Sequence, residues 1–332
     1  MRLIEGLDAL RELDLVSIYG DEAAHSHSVV AVGVFDGVHL GHQRLLHQLL
    51  EMASALEGMP TVVTFANHPD QVLHGHAPPL IASVPHRLRM LRRAGVLRLV
   101  LLQFEPRLQN LTARQFAEEL LVDKLRARGL LLGYDSAMGK DREGTPEHFR
   151  ELGAELGFEV ATGDPFEVGG KPVSSTAIRE AIATGDLVKA QRFLGRFPGA
   201  LGTVVHGEAR GRTLGFPTAN VALGATAAGD LAIASGALPP TGVYAVEAVV
   251  DGQTFAAVAN LGMRPTFDPG GKAVPSRSLE VHLFDFDGDL YDRELEVTFR
   301  QWLRGERKFA GPDDLKAQIQ KDVAAARAFL RA

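Results

Sequence analysis

The rhythm of the 332-residue chain changes near residue 195, and that change constrains the fold more than any other feature. Before it, short apolar runs rich in β-branched residues alternate with segments of helical periodicity. The runs at 29–34, 61–65, 96–104, 130–132 and 158–161 predict strands, and 43–56, 87–94, 112–128 and 147–156 predict helices. Within 43–56, Leu45, Leu46, Leu49, Leu50 and Ala53 share one helical face, while Thr112 and Gln115 offer a capping box. Such alternation implies a parallel sheet with crossover helices, whose ligands bind beyond the carboxyl ends of the strands. After 195 the strong segments are β-like. Segments 242–250 and 254–260 flank Asp251-Gly252, a hairpin signal. A second hairpin is expected from 279–286 and 290–299 around Asp287-Gly288, and a helix over 313–330 follows Pro312. The expected fold is an α/β domain over 1–195, then an antiparallel barrel or sandwich over 196–332 closed by a C-terminal helix.

Hydrophobic residues make up 45% and charged residues 23%, the profile of a globular protein with ample core. No apolar run has transmembrane length, and MRLIEGLDALRELDL places acids among its apolar residues, unlike a signal peptide. The chain has no cysteine, which excludes disulfides and thiolate metal sites and suits a reducing cytoplasm, the expected location. A formal charge of −6 gives no global attraction to nucleic acid, and neither a nucleic-acid nor a membrane partner is expected. The Ala/Gly-rich run 223–238 reads as a flexible insertion.

Two constellations carry chemistry. The first is GVFDGVHLGHQRLL, residues 33–46, where a strand passes into a helix. Gly33, Gly37 and Gly41 let backbone turn tightly and approach a ligand, and the helix N-terminus beyond them favours a phosphate. His39 and His42, three apart, can present both rings to one ligand and stabilise charge building on a phosphate in flight. As a bare motif this reads equally well as a surface turn with two polar histidines, and a zinc site lacks a third ligand. Further on, SSTAIR (174–179) sets hydroxyls at a helix start with Arg179 one turn in, a set that suits a triphosphate or serves as a plain N-cap.

The second is VVHGEARGRTLGFPTAN, residues 204–220. Gly207, Gly211 and Gly215 with Arg210 and Arg212 make a basic loop able to close over phosphates. It leads to Thr218 and Asn220, neutral oxygen ligands of the kind Mg²⁺ accepts. It is not a Walker A loop. In SLEVHLFDF, Glu280 and His282 lie on the strand face opposite Leu279, Val281 and Leu283. That face is a solvated surface by default, or it offers Glu280 as a general base toward an attacking alcohol.

Together these motifs resemble a known family. GVFDGVHLGHQ followed by SSTAIR resembles the adenylyltransferase module of the bacterial bifunctional riboflavin kinase/FAD synthetases. GRTLGFPTAN, GVYAV, NLGMRPTF, LEVHLFDF and LRGERKF come next, in the order of their riboflavin kinase module. The resemblance implies a Rossmann-like nucleotidyltransferase domain and then a kinase barrel. Riboflavin would be phosphorylated by ATP to FMN, and FMN adenylylated by a second ATP to FAD, releasing pyrophosphate. It implies that His39 and His42 contact the ATP phosphates, within a nucleotide set of Gly33, Phe35, Asp36, Gly41, His68, Asp135, Ser175, Thr176 and Arg179. It implies Thr218 and Asn220 as Mg²⁺ ligands and Glu280 as base. Gly207 and the flap Arg210, Arg212 and Gly215 would cover the nucleotide, and Arg304 would belong to a flavin-side lid. ATP is then a co-substrate, Mg²⁺ the cofactor, and riboflavin, FMN and ATP the small-molecule partners. The chain departs from the family at Asn67 in TFANHPD, where proline is usual, and at Ser136 and Met138 in GYDSAMGKDREG, where aromatics are usual. These departures leave two alternatives: a riboflavin kinase with a weak or altered adenylyltransferase half, and a flavin-binding regulatory protein without turnover.

Overall fold

The computed structural model describes residues 2–5, 27–207, 210–223, 236–267 and 273–331. The chain divides into two compact units, one made of Met1–Pro78 with Arg87–Ser174, the other of Pro79–His86 with Ser175–Ala332.

The first unit is built on a parallel sheet of β1 (Arg2–Glu5), β2 (Ser28–Val32), β3 (Met59–Phe65), β4 (Arg98–Leu102), β5 (Ala127–Leu132) and β6 (Glu159–Thr162), ordered β1-β4-β3-β2-β5-β6. The central strands read as continuous apolar runs because crossover helices cover both sheet faces. Val29, Val30, Val62, Val63, Leu99 and Val100 have no exposed surface. Each such side chain contributes roughly 1.5–3 kcal/mol relative to exposure. The helix Leu40–Ala55 comes after β2 and buries Leu46, Leu49 and Ala53. Thr112 and Gln115 form the expected capping box.

The helix expected over 112–128 ends early. Its α-helical part is Ala113–Phe116, and Ala117–Val122 widens to bonds five residues back. Arg126 then turns at φ 48, and Ala127–Leu132 pairs with β2 instead. The sheet recruits Ala127 and Gly129 because ladder partners outweigh helix propensity there, and Arg128 is bulged between them. A two-residue ribbon, β7 (Glu167–Val168) with β8 (Lys171–Pro172), completes this unit.

The second unit holds a closed antiparallel barrel of β9 (Gly199–Val205), β10 (Ala219–Leu223), β11 (Gly242–Val250), β12 (Gln253–Phe267), β13 (Ala273–Leu283) and β14 (Glu294–Arg304), ordered β10-β13-β12-β11-β14-β9. Tyr244, Val246, Leu261, Val281, Val297 and Phe299 fill its interior. The helix Pro312–Arg331 packs on β11 and β12. The hairpin expected at Asp251-Gly252 forms, with both residues at positive φ. The hairpin expected around Asp287-Gly288 does not. β13 pairs with β10 and β12, and β14 with β11 and β9, so residues 284–293 connect strands that are not neighbours. A local turn signal cannot specify which strand lies beside which.

Relative to a division at residue 195, two helices change sides. Ser175–Thr184 and Leu187–Leu194 belong to the second unit, where Leu187 packs into the barrel core. The excursion Pro79–His86 joins them. The Ala237 N–H donates to Leu80 O at 2.6 Å, Arg179 Nε donates to Pro79 O at 2.8 Å, and His86 Nε2 lies 3.2 Å from Glu296 Oε1. The insertion 223–238 lies almost wholly outside the described residues.

Candidate functional site

The turn after β2 has a strongly distorted backbone. Phe35 (φ 51), Gly37 (φ 67) and Val38 (φ 40) all take positive φ within four residues. For a β-branched residue such as Val38 this is a rare conformation, of the kind that persists at functional sites. Phe35, Asp36 and Val38 are buried. His39 caps the helix Leu40–Ala55, its Nδ1 accepting the His42 backbone N–H at 3.3 Å. In the neutral ring this places the proton on Nε2. The rings of His39 and His42 stack at 3.6 Å and 15°. Gly41 seats against this pair, since a Cβ there would lie 3.2 Å from the His39 ring. Burial, then the charges of His39 and Arg87, hold the His42 imidazole well below its usual value, so it is neutral at pH 7.

Arg87 has no exposed surface. Its Nη1 donates to Val34 O at 2.9 Å and its Nη2 to Phe65 O, tying the carboxyl ends of β2 and β3 to one guanidinium. Burial pushes this group down to about 10, against the pull of Asp36, and it stays charged at neutral pH. No sequence pattern singled it out.

Gly33, His68 and Asp135 line a cavity of about 570 Å³ with Phe65, Phe104, Phe116 and Met138. It opens beyond the carboxyl ends of the sheet, where ligands of such sheets bind. His68 caps the helix Pro69–Leu73 through its Nδ1, which accepts from the Asp70 N–H at 3.2 Å. Ser136 and Met138 also face this cavity, and Met138 packs against the core. Ser175, Thr176 and Arg179 lie on the helix Ser175–Thr184 of the second unit, with Ser175 its first residue.

In the barrel, Thr218, Asn220, Glu280 and Arg304 line one cavity of about 330 Å³. The pairing register sets Asn220 opposite Glu280 on the adjacent strand, and Asn260 opposite Glu280 on its other side. Period-2 alternation sends Leu279, Val281 and Leu283 into the core and leaves Glu280 and His282 to the cavity. The ring of His282 bonds through Nδ1 to Pro217 O at 2.8 Å, steadying the strand that carries Thr218. Gly207 packs directly on the Asn220 amide, for a Cβ at Gly207 would lie 2.1 Å from Nδ2 and 2.9 Å from Oδ1. A Cβ at Gly211 would meet Thr218 Oγ1 at 3.0 Å. Two glycines therefore pack against the Thr218 hydroxyl and the Asn220 amide, neutral oxygen donors of a kind that would fit a hard cation held with a nucleotide phosphate. The flap folds as a short helix, Arg210–Thr213, with Gly215 at φ 87; the Arg210 and Arg212 side chains lie outside the described residues. Arg304 forms a bidentate pair with Asp322 of the terminal helix, at 2.7–3.0 Å.

Known proteins match this chain in two successive parts. A family model described as FAD synthetase matches residues 21–177, and one described as riboflavin kinase matches 194–330. A bifunctional riboflavin kinase/FMN adenylyltransferase from Pseudomonas fluorescens is 40% identical over 99% of this chain and 97% of its own length. That of Escherichia coli K12 is 37% identical over 99% and 98%, and that of Bacillus subtilis 35% over 89% and 90%. A solved structure described as a macrolide-efflux protein from Streptococcus pneumoniae superposes with a TM-score of 0.75 at 33% identity, covering 91% of this chain and 94% of that one. Among the described residues no helix is long and apolar enough to cross a membrane. With both modules matched in order and near-complete overlap with its relatives, the chain belongs to the bifunctional riboflavin kinase/FMN adenylyltransferases, its FAD synthetase part N-terminal and its riboflavin kinase part C-terminal.

Proposed function

We propose that the barrel cavity carries the kinase step through Glu280, with Mg²⁺ as its divalent ion, and that the turn at His39 and His42 carries adenylyl transfer. The observation that supports the first assignment best is the convergence of Glu280, Thr218 and Asn220 on one cavity. There the Glu280 carboxylate takes the proton of the riboflavin 5′-hydroxyl as that oxygen attacks the γ-phosphorus of ATP and ADP leaves. Thr218 and Asn220 would hold Mg²⁺, which supplies neutralisation of phosphate charge. Asp322 holds the Arg304 guanidinium at the cavity wall, and Arg210, Arg212 and Gly215 cover the nucleotide.

In the N-terminal part, an FMN phosphate oxygen attacks the α-phosphorus of a second ATP and pyrophosphate leaves. The stacked rings of His39 and a neutral His42 offer imidazole N–H groups suited to bond phosphate oxygens. Gly33, Phe35, Asp36 and Gly41 shape the turn that holds them, and the family resemblance adds Ser175, Thr176 and Arg179 as phosphate-binding residues. The cavity of His68 and Asp135 takes the flavin of FMN. Functionally the chain divides as 1–195 and 196–332, and it works in the cytoplasm.

The test is a pair of variants assayed on purified full-length chain, with FMN and FAD separated over time. Glu280→Gln abolishes FMN formation from riboflavin while FAD formation from supplied FMN persists. His42→Ala does the reverse. FMN formation near its original rate in Glu280→Gln overturns the base assignment.

A further inference from the structure

Asn67 stands where the family usually carries proline, and its side chain does something proline cannot. The backbone ladder between β3 and β4 runs out just past the sheet, with the Ala66 N–H donating to Leu102 O at 2.8 Å. The Asn67 side chain then continues it. Its Nδ2 donates to Phe104 O at 2.8 Å, and its Oδ1 accepts the Phe104 N–H at 2.7 Å. A primary amide pairing both ways with one residue's backbone mimics a further rung of the sheet. The two bonds fix the backbone of Phe104, and the ring stands edge-on to Phe65 at 5.6 Å. Phe65, Phe104 and Phe116 all line the cavity that also contains Gly33, His68 and Asp135. An aromatic wall therefore exists in this cavity, although Ser136 and Met138 stand where the family's usual aromatics would be.

We propose that Asn67 is a positioning residue for FMN recognition: it clamps Phe104 so that the Phe65–Phe104 wall presents a fixed aromatic surface to the isoalloxazine ring. This rests on the reading that the cavity takes FMN. Phe104 lies two residues beyond the end of β4, where backbone pairing no longer holds it, and an unclamped ring samples several rotamers. A flat heteroaromatic ligand gains most from a ring already held in an offset or edge-on position. The clamp acts on the flavin and leaves ATP untouched.

The experiment measures FAD synthesis from FMN and ATP by the full-length chain in a double-mutant cycle of Asn67→Ala and Phe104→Leu. Each single variant raises the KM for FMN by roughly tenfold, about the worth of one to two hydrogen bonds or an aromatic contact, with the KM for ATP within about twofold. In the Phe104→Leu background, Asn67→Ala adds nothing further, because the residue acts only through that ring. Full additivity in the double variant, or an unchanged KM for FMN in Asn67→Ala while Phe104→Leu raises it, overturns the clamp and leaves the cavity reading standing. An unchanged KM for FMN in Phe104→Leu overturns the cavity reading itself. If Asn67→Ala abolishes FAD synthesis, Asn67→Asp, which keeps the acceptor for the Phe104 N–H, is put through the same cycle with the same outcomes deciding.

Discussion

Replacing Gly207 by alanine tests the proposed role of Asn220 as a Mg²⁺ ligand. The new methyl carbon would sit 2.1 Å from Asn220 Nδ2 and 2.5 Å from Cγ, far inside contact distance. Gly207 is not among the glycines at positive φ, so the substitution adds no backbone strain of that kind. Either the methyl is forced in, an overpacking of about 1–3 kcal/mol, or the Asn220 amide swings away and relieves it. The second route is open because Asn220 faces the cavity. It leaves the fold nearly intact and removes one oxygen of the proposed Mg²⁺ site. A loss of about 1–3 kcal/mol in the transition state corresponds to a roughly fivefold to 150-fold fall in kcat/KM. The assay tracks FMN formation from riboflavin and ATP across a Mg²⁺ titration, with FAD formation from supplied FMN as the internal reference. The kinase falls and its Mg²⁺ half-saturation rises, while FAD synthesis holds. Gly252→Ala, in the β11–β12 hairpin at φ 80 with nothing within 4 Å of its Cβ, strains the same barrel by about 1–2 kcal/mol without shifting the Mg²⁺ dependence. An unaltered Mg²⁺ titration in Gly207→Ala would refute the reasoning.

Buried charge sets two further outcomes. The folded pKa of His42 lies below its unfolded value near 6.5, so its neutral burial adds an acid penalty that is absent above pH 6.5 and grows as pH falls toward the folded value. Urea unfolding of His42→Gln against the parent chain shows a stability difference moving by up to about 1.4 kcal/mol per pH unit between pH 6.5 and 5.5; a constant difference refutes it. Arg87→Met takes a donor from the Phe65 carbonyl and one of the two donors of the Val34 carbonyl, which keeps Thr64 Oγ1, and removes a buried charge attracted to Asp36, a loss of about 1–3 kcal/mol. The urea midpoint for loss of FAD synthesis then drops well below that for loss of kinase activity, and coincident, unshifted midpoints contradict it.

Local pattern made much of this molecule legible. SVVAV and TVVTF read as buried parallel strands because both faces of β2 and β3 are covered, and LEVHL placed Glu280 and His282 together because a strand has a period of two. Failures arose where distant partners decided. Leu120, Leu121 and Leu125 keep helical spacing, yet β2 claims Ala127 and the residues of β5 after it. Asp287-Gly288 carries a hairpin's letters between strands that never pair. The contacts of Arg87 and Asn67 were invisible for the same reason, although Asn67 stood out as a departure from the family. Their partners stand 53, 22 and 37 residues away, and nothing in VPHRLRML or TFANHPD announces those bonds.

The excursion Pro79–His86 has a bearing on how such a two-enzyme chain can be taken apart. The chain enters the second unit, returns at Arg87, and leaves again at Ser175, so no single cut separates the units. A fragment ending at Ser174 would carry Leu80, Ile81, Ala82 and Val84 with no barrel unit to bury them, and would lose the Glu296 partner of His86. Apolar side chains of this run separated from the unit to which they belong invite self-association. Dissecting the adenylyltransferase into a well-behaved independent protein therefore requires polar replacements within 80–84, and a free-standing natural homologue of that half would be expected to differ from this chain there.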